Sequence, residues 1–226
     1  TIILSVYNLL LSFPAPILLA LILHYTPNLH LKKFAQTVTY APHFISTVVL
    51  VGMLNIFLSP SSGFVNSLIK ALGMEPIYFF GEAGWFRHVY VLSDVWQNAG
   101  WGSIIYMAAL TALSPELHEA AIIDGATKLQ RIYHIDVPTI MPTMVILLIM
   151  SLSNIMSIGF EKTYLMQTSL NLTTSEVIST YTYKVGLMQA EYSYSTAIGL
   201  FNNVINFTLL IVVNWAARRL SGSSLW

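Results

Sequence analysis

Residues 116–138 read ELHEAAIIDGATKLQRIYHIDVP and form a strongly polar segment between two long apolar stretches. The segment holds four of the ten acidic residues and two of the ten basic residues of the chain. A charge at the centre of a bilayer costs at least a few kcal/mol, so this segment must lie in water. Because the apolar stretches on both sides are long enough to cross a bilayer, we expect it to connect two membrane spans.

The residues of this segment follow a defined spacing. Its first half contains a box of the form EAAxxDGA, made of Glu119, Ala120, Ala121, Asp124, Gly125 and Ala126. Nine residues separate Gly125 from Ile135, and Pro138 ends the segment. The pattern resembles the EAA loop in the permease subunits of ABC importers, with Val137 in place of the usual leucine.

The resemblance extends along nearly the whole chain. YAPHFIS at residues 40–46, WQNAGW at residues 96–101 and the C-terminal SLW are similar to carbohydrate importers, close to permeases for oligosaccharides or polysaccharide fragments. The resemblance implies one transmembrane domain over residues 1–226 with the type I ABC importer permease fold. That fold is an all-α membrane protein, a bundle of transmembrane helices with a cytoplasmic coupling helix.

Residues 114–138, called the coupling segment below, also carry local helix signals. Ser114 and Pro115 are typical of a helix start, and Glu116 faces the positive end of the helix dipole. Gly125 is expected to end or bend this helix, so that two short helices form a knob. Without a partner protein, the same segment would be an amphipathic helix on the membrane surface.

In the resembling family the knob docks in a groove of the cytoplasmic ATPase, and Glu119 is the expected polar contact. The resemblance therefore assigns coupling to seven residues: Glu116, Glu119, Ala120, Ala121, Asp124, Gly125 and Ala126. ATP and magnesium are expected on the partner ATPase, so no cofactor is assigned to this chain.

Composition places the chain in a membrane. It is 55% hydrophobic and 9% charged, whereas soluble domains carry about 25% charged residues. The formal net charge of zero gives no reason to expect a nucleic-acid partner. The absence of cysteine excludes disulfides and thiolate metal sites. No P-loop, GxSxG or HExxH motif is present, so we predict a non-catalytic subunit.

Five apolar stretches are close to the ~20 residues that a membrane helix needs. They are Ile3–His24, Val38–Leu58, Val89–Leu113, Ile140–Phe160 and Thr196–Ala217. Pro14 and Pro16 predict a kink in the first. The family core has six spans, so we expect the chain to be truncated, with one further span before Thr1.

Basic residues indicate the orientation, since cytoplasmic loops carry an excess of them. The doublets Lys32-Lys33 and Arg218-Arg219 place the coupling segment and the C-terminus in the cytoplasm of a bacterial inner membrane. The loops Ser59–Arg87 and Glu161–Ser195 then face outward, the second with a short surface helix around Ser175–Gln189. The resemblance implies that an extracellular solute-binding protein docks there, and that a second, different permease completes a heterodimer.

A carbohydrate pathway needs polar and aromatic groups that face a cavity, and polar residues at membrane depth usually face the bundle interior. The candidates are His43, Ser46, Asn98, Trp101, Tyr106, Ser151 and Asn154. For any one of them, hydrogen bonding to the backbone or between helices is the commoner role. The six histidines show no pair with metal-ligand spacing, and those near span ends are interpreted as solvated interfacial residues, so no metal site is predicted.

Two other function classes remain as alternatives. An ion-coupled secondary carrier, without an ATPase, would usually carry a carboxylate near the membrane midplane. Asp94 and Glu161 are assigned to span ends instead, which disfavours this class. An intramembrane enzyme would need paired catalytic groups at depth, and the sequence shows no convincing pair.

Overall fold

The computed structural model describes residues 1–222 and 224–225, and all regular structure within them is helical. Trp226, the last residue of the SLW motif, lies outside the described residues. The first span is divided into α1 (Ile2–Ser12) and α2 (Pro14–His24). The interruption falls at Phe13, directly before the prolines, as expected from their missing N–H groups. Phe13 keeps helical dihedral angles, so the two helices together form a 23-residue apolar stretch.

The second predicted span, Val38–Leu58, is wrong as a single helix. The chain forms α3 (Leu29–Tyr40), a 3₁₀ turn (Ala41–Phe44) and α4 (Thr47–Phe57), with a bend of 102° at the break. Ile45 is extended, and the Ser46 hydroxyl accepts a hydrogen bond from the Val49 N–H, which starts a new helix. A local cap therefore outweighs the continuous apolar composition.

A short helix, α5 (Phe64–Ala71), precedes the central helix α6 (Ala83–Thr111). The third predicted span lies mostly within α6, which begins earlier and has 29 residues, about 43 Å. Charged and polar groups such as Arg87 and Asp94 lower its apolar character. Among the described residues, three helical stretches are apolar and long enough to cross a membrane: Ile2–His24, Lys128–Ser153 and Tyr192–Arg219. The bent pair Leu29–Phe44 and Thr47–Phe57 would be a fourth if the two parts form one span. Five spans therefore stay a prediction.

The coupling segment forms α7 (Pro115–Ile123) and α8 (Lys128–Arg131), followed by a π turn (Ile132–Asp136) and α9 (Val137–Ser153). The predicted boundaries of the fourth span, Ile140–Phe160, are wrong at both ends. Helical structure is continuous from Lys128 to Ser153 and stops there, because Asn154 leaves the helical conformation with φ −109° and ψ 15°.

The remaining chain forms four helices and a second π turn: α10 (Phe160–Met166), α11 (Leu172–Ser175), α12 (Ile178–Tyr183), the π turn (Lys184–Met188) and α13 (Tyr192–Ser221). A helix in the region of Ser175–Gln189 is therefore present. It is not a surface helix, since it packs against α10 and α13 and buries Thr180 and Val185.

Helix α6 is the centre of the structure and packs against α1, α2, α3 and α9. One apolar cluster forms around its first half with Phe86 and Val91, and a second forms around its last half with Met107 and Leu110. Gly100 allows α6 to approach α3 closely, because a Cβ atom there would lie 1.9 Å from the carbonyl oxygen of Thr39. The glycine of the WQNAGW motif is thus a packing position.

Candidate functional site

The turn at Gly125 is built by the spacing of the EAAxxDGA box. Gly125 has φ +77°, a left-handed conformation that glycine adopts without strain. Its N–H donates to the Ile122 carbonyl at 3.0 Å, and the Ala126 N–H donates to the Ala121 carbonyl at 2.9 Å. These two bonds form a Schellman motif, which closes α7. The turn expected at Gly125 is confirmed.

The start of α8 is fixed as firmly as the end of α7. The Thr127 hydroxyl accepts a hydrogen bond from the Gln130 N–H at 3.4 Å, and Gln130 Oε1 accepts from the Thr127 N–H at 2.8 Å. This reciprocal pair is a capping box. At the other end of the knob, Ser114 occupies the N-cap position, but its side chain makes no capping hydrogen bond. Ser114 therefore marks the start of α7 as predicted, but it does so without the expected side-chain hydrogen bond.

The coupling segment exposes both the expected residues and an apolar group that the sequence analysis missed. Glu116, Glu119, Ala120, Asp124 and Gly125 are exposed, while Ala121 and Ala126 are half-buried. Next to them, five large apolar side chains are more than half exposed on a segment that must lie in water: Leu117 (52%), Ile122 (56%), Ile123 (86%), Leu129 (78%) and Tyr133 (70%). Apolar groups grouped on a polar surface are typical of a protein-binding face. The sequence signal that could have revealed this face is the position of these apolar residues within and beside the EAAxxDGA box.

A concavity of about 800 Å³ lies between α1, α2, α6, α9 and the bend before α4. Six of the seven cargo candidates line it: His43, Ser46, Asn98, Tyr106, Ser151 and Asn154. Trp101 is not among the lining residues. It is 45% exposed and stacks on the His43 ring, with 4.7 Å between ring centroids.

Most of these side chains are already partly hydrogen-bonded. His43 Nδ1 lies 3.0 Å from Asn98 Oδ1, which joins the bend to α6. The Ser151 hydroxyl donates to the Leu147 carbonyl at 2.8 Å, and the Asn154 amide donates to the Met150 carbonyl at 3.1 Å. Backbone bonding, the commoner role, is thus present at both α9 candidates. Both side chains are nonetheless exposed along the cavity.

Asp94, which the sequence analysis did not count among the cargo candidates, also lines this cavity. Its two carboxylate oxygens accept hydrogen bonds from Asn8, Ser12 and Asn98 at 3.1–3.3 Å, and Lys162 Nζ lies 3.5 Å away. Asp94 lies in α6 close to Val89, the predicted start of the third span, so its assignment to a span end stays a prediction. The ion pair with Lys162 makes Asp94 part of a fixed network.

A third group of polar side chains joins the coupling segment to the membrane helices. His24 at the end of α2, His118 in α7 and Asp136 in the first π turn place one potential ligand atom each within 4.8 Å of one another. His24 and His118 are half-buried, and both contact other side chains in addition to any contact with water. Sequence spacing did not reveal the group, because its members come from three separate elements.

Comparison with known proteins identifies the family. Residues 1–222 match the family described as binding-protein-dependent transport system inner membrane component. Protein LplB of Bacillus subtilis is 39% identical over 226 residues, which cover all of this chain and 71% of LplB. The polygalacturonan/rhamnogalacturonan transport system permease protein YteP of the same organism is 41% identical over 219 residues, covering 97% of this chain and 68% of YteP.

The fold agrees with a solved structure. A chain in the crystal structure of a bacterial alginate ABC transporter, in complex with an alginate pentasaccharide-bound periplasmic protein, superposes with a TM-score of 0.96 and 40% identity. The match covers 98% of this chain and 77% of that chain. The family match, the relatives and the fold agree, and this chain belongs to the family of binding-protein-dependent transport system inner membrane components.

Proposed function

We propose that the chain is one permease subunit of an ABC importer and forms part of the membrane pathway for a carbohydrate, an oligosaccharide or a polysaccharide fragment. The observation that carries this proposal is the closed turn at Gly125, which presents an exposed face with Glu119, Ile123 and Leu129. A rigid knob with apolar groups in water is a surface suited to a partner protein. Family membership favours the cytoplasmic ATPase dimer as that partner.

The proposed mechanism is mechanical. Closure of the ATPase dimer on ATP moves the knob, and the Schellman motif and capping box keep α7 and α8 at a fixed angle. Helical structure continues from Lys128 in α8 through the π turn to Ser153 at the end of α9. A displacement of α8 is therefore transmitted along α9 to Ser151, which lines the cavity. The cavity then changes from inward-facing to outward-facing.

The cavity suits a polar, uncharged or weakly charged region of cargo. Its amide, hydroxyl and imidazole groups match the hydrogen-bonding capacity of sugar hydroxyls. Two relatives are named for acidic polysaccharides, polygalacturonan and alginate, so acidic oligosaccharides are the first probes for transport. Among the charged residues on the lining, Asp94 and Lys162 are paired with each other, and Glu161 adds a further carboxylate.

The proposed assembly follows from orientation and family. A second permease completes the pathway, and the coupling segment and C-terminus face the cytoplasm of a bacterial inner membrane. A solute-binding protein docks on the opposite side, on loops within residues 59–87 and 161–195.

Glu119→Ala tests this proposal. The carboxylate is exposed, so its loss leaves folding and membrane insertion intact, and it removes a charged contact worth about 1.5–3 kcal/mol. We expect ATPase association to weaken roughly ten- to hundred-fold. Co-purification of the ATPase with the tagged complex measures this, and Glu75→Ala, which removes another exposed glutamate, is the matched control. Normal ATPase association and normal uptake with Glu119→Ala contradict the proposal.

A further inference from the structure

The cluster of His24, His118 and Asp136 has the composition and compactness of a cation site. Each residue comes from a different element: the end of α2, the middle of α7 and the π turn before α9. One ring nitrogen of each histidine and one carboxylate oxygen all lie within 4.8 Å of one another. Among the described residues, this is the one group of three or more His, Cys, Asp or Glu side chains close enough together to hold a metal ion.

Asp136 supplies an independent observation that points to a ligand. Its side chain is completely buried, and its Oδ2 accepts a hydrogen bond from the Tyr25 hydroxyl at 2.7 Å. Its Oδ1 has no hydrogen-bond partner among the described residues, although His118 Nε2 lies only 3.0 Å away. The same is true of His118 Nε2, so the two atoms face one region without a well-directed bond. A buried carboxylate oxygen whose one contact is a poorly directed ion pair remains costly, and a cation removes that cost.

The donor set selects the kind of cation. Two imidazoles and one carboxylate suit Zn²⁺ or a neighbouring first-row ion, whereas Mg²⁺ and Ca²⁺ prefer oxygen ligands. Zinc takes such ligands at about 2.0–2.2 Å in a tetrahedron, so its ligand atoms are roughly 3.3–3.5 Å apart. The separations of 3.0 Å and up to 4.8 Å lie on both sides of this value. Small side-chain movements are enough to reach it.

We propose that His24, His118 and Asp136 bind one divalent zinc-type cation, with water at the fourth position. Tyr25 acts as the supporting residue, because its hydroxyl holds the carboxylate in place and leaves Oδ1 directed at the histidines. The Arg131 guanidinium lies 5.6 Å from the centre of the Tyr25 ring, and its positive charge repels a divalent cation bound nearby. We therefore expect weaker binding than at a structural site with four protein ligands.

A cation at this position ties α7 to the ends of two membrane helices. The knob then moves together with α2 and α9 and not as a separate hinged element. The coupled movement of the knob rests on the proposed function, whereas binding of the cation does not. Cation binding and transport are therefore measured in separate experiments.

The experiment uses the full chain, purified in detergent with the subunits that co-purify and with the affinity tag removed. Zinc is titrated into the chelator-treated protein, and Co²⁺ is used as a spectroscopic probe, since a tetrahedral cobalt site absorbs strongly in the visible. We expect about one bound zinc per chain. The double variant His24→Asn/His118→Asn should lose it, and Tyr25→Phe should weaken it about 10–100-fold. The matched control His30→Asn removes an exposed histidine near the same helix end and should bind zinc like the wild type.

Amide hydrogen exchange of residues 116–124 reports the tie without any transport measurement. Zinc should slow exchange there in the wild type and in His30→Asn, and leave the double variant unchanged. Equal zinc affinity in the wild type and the double variant, or no zinc binding by the wild type, overturns the proposal. Absence of transport by the wild type, with its zinc binding intact, would contradict the proposed function and leave the metal site standing.

Discussion

Gly100→Ala is the substitution whose effect follows most directly from the geometry. The added methyl carbon would lie 1.9 Å from the carbonyl oxygen of Thr39, and also 2.4 Å from its carbonyl carbon. Contacts under 3.0 Å are essentially absent for Cβ atoms, so the helices must separate by at least about 1.1 Å. Neither contact is with a flexible side chain. The backbone of α3 or α6 itself has to move.

The expected cost lies at the upper end of the range for overpacking, about 3 kcal/mol. For a chain of this size, 1 kcal/mol shifts the melting temperature by roughly 2–4 °C, so Gly100→Ala should lower it by about 6–12 °C. The movement also disturbs the contact between Asn98 and His43, because Asn98 lies in α6 near Gly100 and His43 lies in the turn that follows α3. We therefore expect reduced carbohydrate uptake as well.

Thermal unfolding in detergent, followed by intrinsic fluorescence, measures this shift. Gly84→Ala is the matched control: it makes the same change in the same helix, at an exposed position with no atom within 4 Å of the added carbon. That variant should melt within a few degrees of the wild type. If Gly100→Ala melts like Gly84→Ala, the close approach of α3 and α6 at this glycine is refuted.

Three further substitutions test other parts of the account. Gly125→Asp forces a side chain into φ +77°, which costs about 1–2 kcal/mol, and should lower uptake with normal expression; equal uptake in vesicles would show a permissive turn. Asn154→Ala should lower uptake of at least one oligosaccharide while ATPase stimulation by the binding protein persists, and an unassembled complex would instead indicate a packing role. Lys162→Met removes the cation beside Asp94 and should destabilise the protein by about 1–3 kcal/mol, because the carboxylate keeps its other hydrogen bonds, and Lys162→Met/Asp94→Asn should restore part of the melting temperature.

The features that sequence predicted best are those fixed by near neighbours. The turn at Gly125 follows from the box itself, because the two hydrogen bonds of the Schellman motif connect residues three and five apart. The division of the first span at Phe13 follows from Pro14 in the same way. In both cases one local rule decides the backbone conformation, and no distant contact competes with it.

Hydropathy alone gave the wrong boundaries where a local signal opposed it. The 102° bend in the second predicted span depends on the cap at Ser46, which a sum over apolar residues does not register. Helix α9, in the fourth predicted span, stops at Ser153, although the residues that follow are still partly apolar. Composition therefore indicated where apolar helices lie, and local backbone conformation at Ser46 and Asn154 determined where two of them begin or end.

Contacts between distant residues were beyond the reach of one sequence. The network around Asp94 joins residues 8, 12, 98 and 162. The histidines at 24 and 118 meet only because α7 packs beside the end of α2. Such groups depend on the tertiary arrangement of several helices, which the spacing of residues along the chain does not predict.

The most direct test of the central claim is uptake of a labelled acidic oligosaccharide by proteoliposomes that contain the assembled complex and its binding protein. The account predicts uptake that requires ATP on the side of the coupling segment and that is lost with Glu119→Ala. Uptake driven by an ion gradient without ATP, and unchanged by Glu119→Ala, would contradict it and favour a secondary carrier.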